Sequence, residues 1–413
     1  MSALPQNAAQ AEAQDAAQDA AQAATHDAIC PSTPALDEDR LAWLALALAP
    51  GLGPKRILDA LAQLESPSRV FTLPLTALEG LRFPAEAAQF IFDGKARRAA
   101  EEEWARVASQ GATVVTFGCP EYPERLKEIY DPPPVLWLRG PASLLSRPGI
   151  AIVGTRHPSP YGSGVAEMLA RDLAARRLLI ISGMARGIDT CAHRGALAAR
   201  MPTVAVWGTG IDVVYPRENK KLAEEILATG GCILSEMPMG TFPAPQNFPR
   251  RNLILSGLSV AVLVVEAAEN SGTRVTARCA ADQNRDLFAV PGNVTNKNSW
   301  TPNTLIKQGA KLVATWEDVW EDLSSQVRLE LEAEAPVESK SPTTASLLPD
   351  PVLRPEEAMV LEVLHQDQSL QIDEILDLLE TQLTSSEVFT ALFELELTGR
   401  IRSLPGKNYV RTM

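Results

Sequence analysis

From Gly149 onward the chain repeats one unit. A short apolar run stops at a glycine or a small hydroxyl residue, a longer amphipathic stretch follows, and another apolar run begins. The runs are GIAIVG (149–154), LLIISG (178–183), TVAVWG (203–208), CILSE (232–236), VAVLVVEA (260–267), DLFAVPG (286–292) and KLVAT (311–315). Each has the length of a strand, and most do not alternate polar with apolar residues. A strand of that kind is stable only where both its faces are covered. Separated by helix-length segments, such strands predict an α/β domain with a Rossmann-like parallel sheet. In that architecture ligands sit beyond the carboxyl ends of the strands.

The rest of the chain divides around this domain. Of its 413 residues, the first 35 are Ala, Gln and Asp with little to bury, which predicts a disordered tail. They lack the basic start of a secretory signal. Residues 36–100 carry leucines at helical spacing and predict a small helical domain. The α/β domain with an N-terminal extension, including strands at TVVTFG and VLWLRG, spans 101–320. A Glu-, Ser- and Pro-rich stretch, 321–350, reads as a linker. Residues 351–413 read helix, helix, helix, hairpin, the order of a winged helix. No apolar run approaches the ~20 residues of a membrane helix. Five scattered cysteines without a CxxC pair predict neither a disulfide framework nor a zinc site, and fit a reducing cytoplasm.

Net charge is −13, which alone argues against an anionic partner, but the charge is unevenly distributed. Residues 141–315 hold 19 Lys and Arg against 12 Asp and Glu, whereas 1–140 hold 12 against 19 and 316–413 hold 7 against 20. A basic middle between acidic flanks concentrates anions at one domain.

The strand ends supply the chemistry. They read Gly154-Thr155-Arg156, Ser182-Gly183-Met184-Ala185-Arg186, Gly208-Thr209-Gly210, Ser271-Gly272-Thr273 and Pro291-Gly292. Glycine lets backbone N–H groups approach a ligand, Ser and Thr add donors, and a helix start follows with its partial positive charge. Arg156 and Arg186 add forked donors for phosphate. Phe248-Pro249-Arg250-Arg251-Asn252 places a stacking ring beside two arginines, the combination a single strand requires. Any one of these turns can be structural; their recurrence at successive strands predicts a phosphate pocket. No P-loop, HExxH or GxSxG motif occurs, and the first strand is not followed by a dinucleotide fingerprint. No catalytic residue, metal or cofactor is expected. His157 and His193 have no evident nucleophile partner.

These residues together resemble the DprA/Smf (DNA-processing protein A) family. The segments that carry the resemblance are VGTRHPSPYG (153–162), SGMARGIDTCAHRGAL (182–197), GTGIDVVYPREN (208–219), FPRRN (248–252), VVEAAENSGTRVTA (264–277) and VPG (290–292). The resemblance implies a Rossmann-like domain that binds single-stranded DNA without sequence preference and forms a homodimer. It also implies loading of RecA onto DNA coated by single-strand-binding protein during natural transformation or recombination, and an N-terminal SAM-like domain. DNA contacts of the family map onto Arg156 and Phe248. Ser182, Gly183, Arg186, Arg251 and Asn252 are expected to complete the pocket. The family pattern FPxRNR departs here to Leu253, and a basic residue sometimes found three before the Phe is Pro245; Arg250 is the candidate to replace that charge. The alternative is a nucleotide-hydrolysing enzyme resembling the phosphoribohydrolases, for which Glu266, Ser271, Gly272 and Thr273 form the nearest element, without the PGG of that motif.

Two terminal modules stay open. Pro50-Gly51-Leu52-Gly53-Pro54 between two helices is either a phosphate-binding helical hairpin or a structural turn. The recognition-helix position of the last domain, Ser385–Leu397, carries Glu387, Glu394 and Glu396 without Lys or Arg, which favours a protein partner over duplex DNA. Arg400, Arg402, Lys407 and Arg411 make its wing basic.

Overall fold

The computed structural model describes residues 37–333, 354–364, 370–379, 381–397, 400–404 and 407–411. The described residues up to 333 form one compact unit, and those from 354 a second. The first opens with five helices, α1 (Glu38–Ala47), α2 (Pro54–Leu61), α3 (Leu75–Gly80), α4 (Ala85–Phe92) and α5 (Lys95–Ser109). Two strands follow, β1 (Thr113–Thr116) and β2 (Val135–Arg139), with the short α6 (Glu124–Lys127) between them.

The predicted alternation then appears at every position: β3 (Gly149–Val153), α7 (Pro160–Ala175), β4 (Leu179–Ser182), α8 (Ile188–Ala198), β5 (Thr203–Trp207), α9 (Lys220–Ala228), β6 (Cys232–Ser235), α10 (Asn247–Leu258), β7 (Ala261–Val264), α11 (Thr273–Asp282), β8 (Asp286–Ala289), α12 (Trp300–Lys307) and β9 (Lys311–Leu312). Two more helices close the unit, α13 (Trp316–Asp322) and α14 (Ser325–Ala333).

The nine strands lie in the order β1-β2-β6-β5-β4-β3-β7-β8-β9. β3 to β9 are parallel, and β2 joins β6 antiparallel. The chain builds outward from β3 to β6, then returns to the other side of β3 with β7. The gap between the ends of β3 and β7 is therefore the topological switch point. Successive residues of β3 face opposite layers. Ile150 and Ile152 pack with Leu169, Leu173 and Ala192 of α7 and α8; Ala151 and Val153 pack with Ile254, Leu255 and Ala280 of α10 and α11. That two-sided burial is why the strand is apolar throughout.

Two boundaries differ from the sequence reading. The N-terminal helices are not a separate unit: Trp43, Leu44 and Ile57 share one core with Trp137, Trp207 and Ile233 of the sheet. The linker does not begin at 321, because α14 buries Val327 and Leu331 in the same core as α7 and α8. Those residues are one helical turn apart in a Glu-rich run, a weak signal that packing overrides. The remainder of the expected linker and the N-terminal tail lie outside the described residues.

The second unit holds α15 (Pro355–Val363), β10 (Leu370–Gln371), α16 (Ile372–Leu379), α17 (Ser385–Leu397), β11 (Ile401–Leu404) and β12 (Asn408–Arg411). Its three strands order β10-β12-β11, antiparallel, the winged-helix arrangement. Val388, Ala391, Leu392 and Leu395 of α17 face its core, while Phe389 and Phe393 are exposed.

Candidate nucleic-acid interface

A cleft of about 430 Å³ lies at the switch point. Its walls come from the end of β3 (Gly154, Thr155, Arg156), the start of α10 (Phe248, Arg251, Asn252) and the start of α11 (Ser271, Gly272, Thr273). A smaller groove continues from it along Gly183, Arg186, Thr209 and Tyr215. Ten of the twelve residues expected at the site thus line one continuous surface; Ser182 and Arg250 do not. Ser182 is buried, and its hydroxyl donates to the Ile152 carbonyl at 2.7 Å, inside the sheet. Arg250 is turned to Glu236, to which it donates twice, at 3.1 and 2.8 Å.

Close packing at the strand ends explains the glycines. A methyl group on Gly154 would meet the Glu266 carbonyl at 2.7 Å and the Ile188 side chain at 2.5 Å. One on Gly183 would fall 1.0 Å from Nη1 of Arg251. The Arg251 guanidinium therefore meets the Gly183 backbone edge-on through Nη1, with Asp189 Oδ2 at 3.7 Å from the same nitrogen.

Asp189, the second residue of α8, also accepts the N–H groups of Gly183 and Ala185, both at 3.2 Å. Burial pushes its carboxyl above the usual carboxylate range, against the opposing pull of Arg251 and the two N–H groups. Burial likewise lowers the Arg251 guanidinium from its ordinary value. The Nε–H of Arg251, also buried, has no partner among the described residues. The cleft floor is thus a desolvated cation with a donor left over, which suits an anion.

Two further cations sit at the rim in different states. Arg156 is exposed and forms no salt bridge among the described residues; its guanidinium lies 5.7 Å from the centre of the Phe248 ring. Arg186 is held by Glu218, with Nη2 at 3.0 Å from Oε2 and a second, shorter contact through Nε. Phe248 has Tyr215 on another side, ring centres 5.8 Å apart and tilted by 40°.

The sequence does not mark Asp189, Glu218 or Tyr215 as site residues, although all three lie within the segments that carry the family resemblance. His157 lines the cleft through its exposed backbone segment. His193 does not reach it: it is fully buried, and Nδ1 pairs with Thr203 Oγ1 at 2.9 Å. Because the Thr203 hydroxyl donates to the Ile180 carbonyl at 2.7 Å, Nδ1 is the protonated nitrogen. Desolvation, helped by Arg251, holds this imidazole down at a pKa of about 3.

Glu266, the candidate acid of the enzymatic alternative, is buried beneath the start of α7. Its carboxylate accepts from the Ser159 N–H at 2.8 Å and the Ser159 hydroxyl at 2.6 Å. Ser159 in turn caps α7, accepting from the Gly162 N–H at 3.1 Å. The group is an anchor of that helix start rather than an exposed acid.

Comparison with known proteins follows the same geography. The family model for DNA recombination-mediator protein A matches residues 113–324, the sheet and its helices. The model for the DprA winged helix domain matches 341–407. Protein Smf of Escherichia coli is 41% identical over 292 residues, covering 70% of this chain and 75% of its own length. Protein Smf of Synechocystis is 31% identical over 401 residues, covering 91% and 99%. The X-ray structure of DNA processing protein A from Streptococcus pneumoniae superposes with a TM-score of 0.61 at 34% identity, covering 70% of this chain and 99% of that one.

Proposed function

Since the chain belongs to the DNA recombination-mediator protein A (DprA/Smf) family, we propose that its switch-point cleft holds single-stranded DNA without sequence preference and presents it to a recombinase. The observation that carries this reading is one surface combining a buried, incompletely partnered Arg251, a free Arg156 and the Phe248 ring. Backbone phosphates match the two guanidiniums, and a base matches the ring; neither contact reads sequence. The cleft is partly open to solvent rather than an enclosed cavity.

Loading of RecA, displacement of single-strand-binding protein, homodimerisation through the sheet domain and a part in natural transformation belong to the same reading, carried by the family resemblance. The free thiols Cys119, Cys191, Cys232 and Cys279 suit work in a reducing cytoplasm. The enzymatic alternative is disfavoured by Glu266, whose carboxylate is engaged with Ser159.

The test is a mobility shift with oligo-dT at two salt concentrations. Arg156→Ala with Phe248→Ala should lose one stacking contact, about 5- to 150-fold in affinity. It should also lose one phosphate contact, lowering the slope of log K against log salt by ~0.7. A folded double variant that binds like wild type removes this assignment. Turnover of nucleoside monophosphates by the wild-type protein would revive the enzyme.

A further inference from the structure

Beyond Phe248, two more aromatic rings stand exposed at this end of the sheet. Tyr215, in the loop after β5, is 40% exposed. Phe242, in the loop between β6 and α10, is 78% exposed, well above the other two. A ring left in water on a wandering loop carries no information, but this loop is held. The Gly240 N–H donates to Asp212 at 2.8 Å, and the Gly210 N–H donates to the Thr241 carbonyl at 2.9 Å. Asn247 Nδ2 donates to the Gly208 carbonyl at 3.1 Å and to the Phe242 carbonyl at 3.5 Å. The loops after β5 and β6 are therefore stitched together, and Asn247, which joins them, is the neighbour of Phe248. Holding a Phe side chain in solvent on an ordered frame forgoes its burial, which is intelligible where a flat apolar partner covers it.

We propose that Tyr215 and Phe242 continue the stacking surface of Phe248, forming a track on which successive bases lie as the strand leaves the phosphate cleft. This rests on the reading of that cleft as a single-strand site and adds the residues that hold its exit. The local chemistry favours bases over phosphates here. Arg250 is tied to Glu236, and Arg186 is tied to Glu218. With Arg186 and Arg250 engaged by carboxylates, the exposed rings are available to bind bases. Every base offers a π-face, so such a track adds affinity without adding sequence preference. Phe248 is half-buried, with Arg156 near one side and Tyr215 near another, so Tyr215 and Phe242 offer the more accessible rings.

The experiment compares oligo-dT with an oligomer of equal length carrying abasic residues in place of bases, at several salt concentrations, using Tyr215→Ala, Tyr215→Phe and Phe242→Ala in the full chain. Each alanine variant should lose about 5- to 150-fold on oligo-dT, keep the wild-type salt slope, and match wild type on the abasic strand. Tyr215→Phe should restore binding, since the ring and not the hydroxyl stacks. Phe242→Ala removes an exposed side chain, so its thermal unfolding should match wild type and a binding loss cannot be ascribed to misfolding. Wild-type affinity of both alanine variants for oligo-dT, while Arg156→Ala is defective, overturns the track and leaves the cleft reading intact. Equal losses on the abasic strand with a changed salt slope also overturn it. Failure of the wild-type protein to bind either strand removes the cleft reading, and the track with it.

Discussion

The contact between Gly183 and Arg251 offers a sharp perturbation, Gly183→Ala. The added methyl would lie 1.0 Å from Nη1, 2.1 Å from Cζ and 2.6 Å from Nη2 of Arg251. No small adjustment relieves that overlap: the guanidinium must leave its seat. Arg251 is the far end of a flexible side chain, so it can leave, but Asp189 stays behind, buried and without its counter-charge. At 3.7 Å and an effective dielectric of ~20, the attraction lost is about 4 kcal/mol. That agrees with the ~3–5 kcal/mol typical of breaking a buried pair by removing one partner. A loss of ~3–5 kcal/mol is a large part of a domain's stability without necessarily abolishing the fold. Urea denaturation measures it. The same change empties the cleft floor of its cation, so oligo-dT affinity should fall at least ~10-fold, as for loss of a charge-assisted contact. The mechanism is isolated by repeating the substitution in an Arg251→Ala background, where the methyl enters vacated space and should cost under ~1 kcal/mol. An equal cost in both backgrounds, or a cost below ~1 kcal/mol in the parent, would refute the argument that Gly183 exists to seat Arg251.

Other expectations follow from the same geometry. His193 is held at a pKa of about 3 in the fold, below the ~6.5 of an unfolded chain, so the unfolded state takes up the proton first. Its contribution to stability is complete above ~6.5 and is lost as pH falls, by about 2 kcal/mol at pH ~5. His193→Gln should flatten the fall by that amount in denaturation curves recorded at the two pH values. Glu218→Gln releases Arg186 from its ion pair. Oligo-dT affinity should rise, with the salt slope steeper by up to ~0.7 as one more phosphate is neutralised; unchanged binding in a titration series would show that Arg186 never leaves Glu218. Glu103, buried on α5, accepts from Trp137 Nε1 at 3.0 Å and the Met239 N–H at 2.7 Å. Glu103→Ala leaves two buried donors unpaired and should cost ~2–5 kcal/mol in urea.

The sheet was legible because burial on both faces writes itself into a strand as an unbroken apolar run. Ile150 and Ile152 serve one layer, and Ala151 and Val153 the other. No competing local preference obscures that signal. Where the pattern is weak, the reading failed in a definite way. Of Val327, Leu329 and Leu331 in a Glu-rich run, Val327 and Leu331 are buried while Leu329 is exposed, and contact with the core below α7 and α8 makes residues 325–333 a helix rather than linker. The separation of the N-terminal helices from the sheet failed for a related reason. Trp137 and Trp207 belong to strands by sequence but supply the surface on which those helices pack, and sequence spacing carries no trace of such a pairing.

The cleft was legible as composition and illegible as electrostatics. Glycines and arginines at strand ends place the residues, but the state of each arginine depends on a carboxylate distant in sequence. Glu218 lies 32 residues from Arg186, and Glu236 lies 14 from Arg250. Asp189 looks like an ordinary helix residue until the fold sets it against Arg251. The distinction matters for how binding would work. Of the four arginines Arg156, Arg186, Arg250 and Arg251, three face carboxylates and Arg156 has no ion-pair partner among the described residues. A phosphate arriving at Arg156 gains an uncontested contact; at the others it must displace or share with an anion already present. Counting cations therefore overstates the electrostatic part of the affinity, and the salt slope for short oligomers should stay below the ~2.8 that four full phosphate contacts would give. Stacking of bases on the rings at Phe248 and beyond would supply affinity that salt does not weaken.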